Sequence, residues 1–350
     1  MYKLAFIGYG GVAEWHHNML DRQCPKIKVA GAFDIRPEAM ERAKSKRISA
    51  YESLVALLSD KTVDIALVAT PNNVHKELTI AALKSGKHTI CEKPATLNAK
   101  ELEEVMEAAK SSGRIFTVHQ NRRWDKDFQT IRKVIEDGMI GDIYSIQSRV
   151  QGSRRIMHGW RGYKINGGGL LYDWGAHLID QLMHLIKEPV CEISCNLFNI
   201  HAQEVDDNLK MSLRFNNGVH AYIEIDTNCF ILLPRWHVCG TEGSAVVENW
   251  ELDGRVVTLA DRTAMEWGED IIYTAAGPTR TMTPRPANTI KESPLPQVSS
   301  KYCQFYENLT EAIEGKQDQA VKPEQVLRVM KVIDAAFDAH ERKQAVKCFI

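Results

Sequence analysis

Short apolar runs alternate with amphipathic stretches through the first third of the chain. Residues 3–7, 28–33, 63–69, 88–91 and 115–118 are nearly continuous apolar runs, the pattern of strands buried on both faces. Between them, residues 13–22, 37–45, 52–58, 74–85 and 99–112 place apolar side chains at helical spacing. Pro37 opens one helix, where its missing N–H costs nothing, and Gly86 and Gly113 close two others. Continuous apolar strands separated by amphipathic helices predict a parallel sheet covered on both sides.

The rhythm changes near Arg122 to Asp125. A helix is predicted to about residue 137, and then runs at 143–150, 190–198, 209–215, 219–227, 237–240 and 245–249 mostly alternate as half-buried antiparallel strands do. Asn216-Asn217-Gly218 suits a tight hairpin, because asparagine and glycine accept positive φ. Residues 275–298 are rich in proline, threonine and arginine without periodicity, and read as an extended excursion from the sheet. Helices at 301–314 and 323–342 close the chain.

Composition narrows the function classes. A net charge of -1 over 350 residues, without basic clusters, predicts neither a nucleic-acid nor a membrane partner. The apolar runs fall far short of the roughly 20 residues needed to span a bilayer. Eight scattered cysteines without CxxC pairs, and no signal-peptide pattern, predict reduced thiols and a cytoplasmic protein.

Gly8-Tyr9-Gly10-Gly11-Val12-Ala13 follows the first strand and opens the first helix, matching G-x-G-x-x-A. Gly8 permits the tight turn, Gly10 lets backbone approach a pyrophosphate, and Ala13 lets helix and strand pack closely. Gly11 and Val12 complete the turn, and the helix N-terminus offers N–H donors to phosphate. The second strand ends at Asp34, in the slot that binds a ribose 2′-hydroxyl and disfavours a 2′-phosphate. NAD is therefore expected ahead of NADP, although Arg36 partly offsets the acid. Thr70, Asn72 and His75 follow the fourth main strand, and Glu92 and Lys93 the fifth. Ligands of open parallel sheets bind at those strand ends, so all five are expected beside the cofactor.

Further on, Gly167-Gly168-Gly169 feeds a helix on which Asp173, His177 and Asp180 are spaced i, i+4, i+7 and share one face. An acid beside a histidine can orient a proton acceptor near neutral pH; a buried histidine satisfied by an aspartate explains the spacing equally well. As chemistry, His177 suits the base and Lys93 the donor to a substrate oxygen, with the proton transfer open between the two, and Asp173 suits the orienting group or a grip on a neighbouring hydroxyl. Asp180 is expected to be structural. Asn121, Arg122, Arg123, Trp160, Arg161 and Tyr163 are candidates for substrate contact, while Trp124 and Trp174 are expected to pack. Asp173 and His177 lack an evident third ligand, so no metal is expected.

These pieces, in this order, resemble the glucose–fructose oxidoreductase/inositol dehydrogenase (Gfo/Idh/MocA) family. The resemblance rests on the Gly8–Ala13 turn, Thr70-Pro71-Asn72, Glu92-Lys93-Pro94, Asn121-Arg122-Arg123-Trp124, and Gly167 through Asp173, His177 and Asp180. It implies an α/β protein: a Rossmann dinucleotide-binding domain over residues 1–123 and a C-terminal α/β domain over 124–350. The second domain would carry a large, mainly antiparallel open sheet, the usual site of homo-oligomer contact, with the final helices packed back on the first domain. Lys93, Asp173 and His177 fall on the family's catalytic positions, and sugars, glycosides or cyclitols are the implied substrates. Within that class the expected reaction is oxidation of the C3 hydroxyl of a glucoside to a 3-keto glycoside, since the Trp160–Tyr163 loop and the 275–298 segment offer room for an aglycone. Inositol oxidation is the close alternative. NAD-dependent redox elimination of a glycosidic group, and a non-catalytic NAD- and sugar-sensing regulator, are the others.

Overall fold

The computed structural model describes residues 1–155, 157–261, 271–280 and 285–350. The five apolar runs of the first third form β1 (Tyr2–Ile7), β2 (Ile27–Phe33), β4 (Ile65–Val68), β5 (His88–Cys91) and β6 (Phe116–Val118), and an unanticipated two-residue strand, β3 (Ser49–Ala50), pairs with β2. They make one parallel sheet in the order β3-β2-β1-β4-β5-β6. Between them run α1 (Gly11–Gln23), α2 (Pro37–Ser45), α3 (Leu54–Ser59), α4 (His75–Lys84) and α5 (Ala99–Ser112). Every residue of β4 is buried, which is why its sequence shows no alternation. The strand order reverses at β1 and β4, so their carboxyl ends diverge into a crevice.

After α6 (Lys126–Glu136) the chain builds its second sheet. Its strands are β7 (Ile143–Gln151), then, beyond α7 (Ala176–Leu185), β8 (Val190–Phe198), β9 (Asn208–Phe215), β10 (His220–Asp226), β11 (Trp236–Gly240), β12 (Gly243–Val247) and β13 (Gly254–Leu259). A separate hairpin, β14 (Ile271–Thr274) and β15 (Gly277–Arg280), precedes β16 (Ile290–Pro294), α8 (Cys303–Ile313), α9 (Pro323–Arg342) and β17 (Val346–Lys347). Among the described residues this sheet has nine strands, in the order β16-β13-β12-β11-β7-β10-β9-β8-β17. All neighbours are antiparallel except β7 and β10, which are parallel and so end together at Gln151 and Asp226.

One face of this sheet is covered by α6, α7 and α9. Ala221, Ile223 and Ile225 of β10 point into that core, while Tyr222 and Glu224 stand on the open face. The final helix also reaches the first sheet's helices: the Asp334 carboxylate accepts from the Ala99 N–H at 2.9 Å. No helix among the described residues is long and apolar enough to cross a membrane.

Two expectations need correction. The 275–298 stretch is not an excursion: β15 pairs with β14, and β16 forms an edge strand on β13, held by backbone bonds that leave no apolar period in the sequence. Residues 281–284 of that stretch lie outside the described residues. The helix after Gly169 begins as a π-turn over Leu171–Gly175 before becoming α7, which rotates Asp173 relative to His177.

Candidate active site

A cleft of about 1070 Å³ opens between the carboxyl ends of the first sheet and the β7–β10 ends of the second. At its first wall, Gly8 adopts φ +89°, and a Cβ there would come within 2.6 Å of the Ala69 carbonyl oxygen, so only glycine fits the turn. Gly10, Gly11 and Val12 line the cleft, and a Cβ on Gly11 would meet nothing within 4 Å. The α1 N-terminus that follows has no side-chain cap, leaving its N–H donors for an anion. That cradle fits a dinucleotide pyrophosphate. Ala13 is buried beneath it and packs rather than lines.

Asp34 ends β2 as expected, but it is engaged. Its Oδ2 accepts from the Tyr9 N–H at 2.8 Å, and Arg36 donates to Oδ1 through Nε and to Oδ2 through Nη2, both at 3.0 Å. Burial would raise this carboxyl, but the bonds from Arg36 and Tyr9 hold it below the usual carboxylate range. Asn72 lines the cleft, with its amide donating to the Gly167 carbonyl at 2.7 Å, which ties the two glycine-bearing loops together. His75 does not reach the cleft. Its ring is buried between the Pro94 and Thr70 carbonyls at 2.8 and 2.9 Å, clamping two strand-end loops from behind. Thr70 does line the cleft.

Lys93 and Asp173 meet at the centre. The Lys93 ammonium donates to Asp173 Oδ1 and, at 3.1 Å, to the Asp173 carbonyl, while Arg161 Nε lies 3.6 Å from the other carboxylate oxygen. Burial would raise the Asp173 carboxyl, yet the two cations hold it low. Asp173 is thus paired with Lys93 and Arg161, and no bond joins it to His177, contrary to the shared-face reading; the π-turn is the physical reason. His177 lies buried in the same wall, and its Nδ1 has no hydrogen-bond partner among the described residues. Burial first, then the charges of Lys93 and Arg122, push its pKa well below the ordinary histidine value. The ring is therefore neutral at physiological pH.

The remaining candidates divide. Asn121, Arg122, Trp160 and Arg161 line the cleft. Tyr163 is exposed outside it, and Arg123 is a buried structural residue. The Arg123 guanidinium grips Asp180 at 2.6 and 2.8 Å and donates to the Ala320 carbonyl and Gln325. Trp174, expected to pack, instead lines the cleft with the Arg122 guanidinium 4.4 Å from its ring centre. None of the described residues of 271–298 lines the cleft, contrary to the expectation that this segment offers an aglycone room; residues 281–284 lie outside the described residues.

A buried chain behind the cleft was not anticipated. Tyr306 O–H bonds His16 Nδ1 at 2.6 Å, His16 Nε2 bonds Glu92 Oε1 at 2.7 Å, and His119 Nδ1 reaches the same oxygen at 2.9 Å. Burial would raise Glu92, but the two imidazoles hold it well below the carboxylate range; burial and then His119 lower His16 to about 4. A neutral His16 accepting from tyrosine and donating to glutamate satisfies all three. These ligand-type atoms lie within 4.8 Å of one another. Ligands of a tetrahedral zinc stand about 3.2–3.5 Å apart, given bonds of about 2.0–2.1 Å, so the two short spacings are those of hydrogen bonds. Only the strand-end rule pointed to His119, which follows β6; His16 and Tyr306 carried no sequence signal.

A dinucleotide cradle facing a lysine–aspartate pair and a neutral histidine across one cleft defines an NAD(P)-dependent dehydrogenase. Residues 2–120 match the family model described as an oxidoreductase family with an NAD-binding Rossmann fold, and residues 128–246 match the GFO/IDH/MocA C-terminal domain. The chain belongs to the Gfo/Idh/MocA family. It is 27% identical to the scyllo-inositol 2-dehydrogenase (NADP(+)) IolW of Bacillus subtilis, over 98% of this chain and 95% of that protein. It is 26% identical to the D-glucoside 3-dehydrogenase of Escherichia coli over 63% of this chain and 69% of that one. The crystal structure of an NAD-binding protein from Listeria innocua superposes with a TM-score of 0.94 at 39% identity, covering 99% of both chains.

Proposed function

We propose that the protein moves a hydride between nicotinamide and a secondary alcohol on a polyhydroxylated ring, either a cyclitol or a hexopyranoside. The observation that carries this is the Lys93–Asp173 pair beside a buried, unpartnered, neutral imidazole at the cofactor cleft. The Gly10–Val12 turn and the α1 N-terminus would hold the cofactor, whose nicotinamide supplies the hydride acceptor. Asp173 aims the Lys93 ammonium, which donates to the carbinol oxygen and stabilises its developing negative charge. His177, already unprotonated, accepts the hydroxyl proton. NAD is the first cofactor in this reading, because Asp34 stands at the end of β2. The protein is read as self-associating through the open face of the second sheet, where Tyr144 and Tyr222 are exposed.

The similarity to IolW over the full chain favours a cyclitol. The C3 hydroxyl of a glucoside is the second reading, supported by the Trp160 ring on the cleft wall, an aromatic surface suited to a pyranose. Incubation with NAD or NADP and a panel of inositols and glucosides separates them by which ketone forms. Release of an aglycone without net NADH would assign redox elimination instead.

For the site, Lys93→Ala and His177→Ala should each lower kcat by about 10²–10⁴-fold with NAD affinity nearly intact, since the dinucleotide is held elsewhere. Because the two act as a unit, the double variant should be little worse than the poorer single one. Unchanged turnover in a folded His177→Ala protein would return that histidine to a packing role.

A further inference from the structure

One part of the cleft wall is built by two loops that leave the second sheet side by side. Because β7 and β10 are parallel, both chains emerge there, and they stay bonded: the Gly152 N–H donates to Asp226 O at 2.9 Å, Cys229 N–H to Gly152 O at 2.8 Å, and Arg155 N–H to Thr227 O at 3.0 Å. This stiff lip carries Arg154, Arg155 and His158 on the cleft wall. The Arg155 guanidinium is held in place without a counter-charge, stacked 5.1 Å from the Phe230 ring centre with Nε donating to Asn228 Oδ1 at 2.8 Å. Its two terminal nitrogens remain uncommitted among the described residues. Arg154 and His158 make no ion pair or hydrogen bond among the described residues.

None of the carboxylates on the cleft wall is bonded to these cations among the described residues, because each is turned to other partners. Glu92 serves His16 and His119, Asp173 serves Lys93 and Arg161, and Asp226 is bound by Lys210 at 2.8 Å. Unmatched positive charge therefore collects on this part of the cleft wall. The phosphates of a dinucleotide would be met by the Gly10–Val12 turn and the uncapped N–H groups of α1, which give them donors of their own. Neutral hydroxyls do not need fixed guanidinium groups; carboxylates and phosphates match their planar fork.

We propose that the substrate ring carries an anionic substituent, a carboxylate or a phosphate ester, which Arg154 and Arg155 hold while the reacting carbinol lies at Lys93 and His177. This rests on the ring-alcohol reading above and adds to it the charge of the substrate. The lip sets affinity and orientation, and it does not touch the reacting atoms.

The test uses the NADH-loaded protein, with cofactor fluorescence reporting the binding of methyl glucopyranoside, methyl glucopyranosiduronate and methyl glucopyranoside 6-phosphate. An anionic member should bind about 10- to 100-fold more tightly than the neutral glucoside, the size of one or two charge-assisted hydrogen bonds, and the gap should shrink as salt rises. Whether the uronate or the phosphate binds better identifies the substituent. Arg154→Met with Arg155→Met should abolish the gap without changing affinity for the neutral sugar, and the Arg154→Lys, Arg155→Lys pair should restore part of it. Equal binding of all three sugars, no binding of either anion, or a gap that survives the double methionine variant overturns the proposal. Failure of the ring-alcohol reading is separate: no NADH would form from any sugar or cyclitol even where the anionic preference in binding persists.

Discussion

At Asp34, both carboxylate oxygens are turned to the Arg36 guanidinium. Removing the guanidinium frees a carboxylate for a ribose 2′-hydroxyl and deletes a cation that a 2′-phosphate would use. Arg36→Ala should therefore raise the NAD-over-NADP ratio of kcat/KM by about 10-fold, one charge-assisted hydrogen bond, and Asp34→Ala should lower it. Steady-state kinetics with both cofactors measure this, and an unchanged ratio in both variants would remove the pair from cofactor discrimination. At His177, burial beside Lys93 and Arg122 displaces the titration that an isolated histidine would show near pH 6.5. If the ring is the base, the acid limb of kcat/KM should fall well below that pH; a limb centred at 6.5 would point to a different, solvated group.

At the scale of elements, α7 is fastened to the segment before α6 by one buried ion pair. Arg123 and Asp180 are almost fully enclosed, with side chains 5% and 2% exposed. Such a pair is costly to break because it leaves one charge buried alone. Arg123→Met should cost about 3–5 kcal/mol by denaturant unfolding, and pairing it with Asp180→Leu should recover much of that. A loss below about 1 kcal/mol would show the helix held by its apolar face instead. Two helices also carry acid-sensitive histidines. Burial lowers His184 on α7 to about 3, and burial with His119 lowers His16 on α1 to about 4. Both values lie below the unfolded 6.5, so between the two states the unfolded chain binds more protons and stability rises with pH. The contribution is whole above pH 6.5 and is lost as pH falls through about 4 and 3, with a slope of up to about 1.4 kcal/mol per pH unit for each histidine. His184→Asn should flatten that part of the acid unfolding curve.

At the scale of the whole molecule, the described residues form a nine-stranded sheet with helices on one face and half-exposed tyrosines and ion pairs on the other. Arg149–Glu224 and Lys210–Asp226 are paired across that open face, beside Tyr144 and Tyr222. A broad sheet surface of this kind is suited to self-complementary contact. Light scattering should give a multiple of the chain mass, and Tyr144→Glu with Tyr222→Glu should shift it toward the monomer while the cleft stays intact. A monomeric wild-type protein at micromolar concentration would remove the interface.

The elements read from period and punctuation were those whose reasons are local. Continuous apolar runs such as 65–68, the glycine turn at 8–13, and the helix stop at Gly113 depend on neighbours a few residues away, so most of the first sheet and its helices is written in the chain itself. The same holds for Lys93 and Asp34, which sit at the carboxyl ends of strands, where any ligand of such a sheet must lie. What sequence left open depended on distant partners. Edge strand β16 is recognised by β13 and not by its own period, and the parallel pairing of β7 with β10 is decided across some 75 residues. Asp173 and His177 share a helical face in an ideal α-helix, but a π-turn separates them and gives Asp173 to Lys93, 80 residues away. Arg123 and Trp174 exchange their expected places for the same reason: Asp180 and Gln325 draw the arginine inward, while Arg122 holds the tryptophan at the cleft. Backbone period fixes which way a strand or helix faces, and only the packed structure fixes which charged side chain it faces.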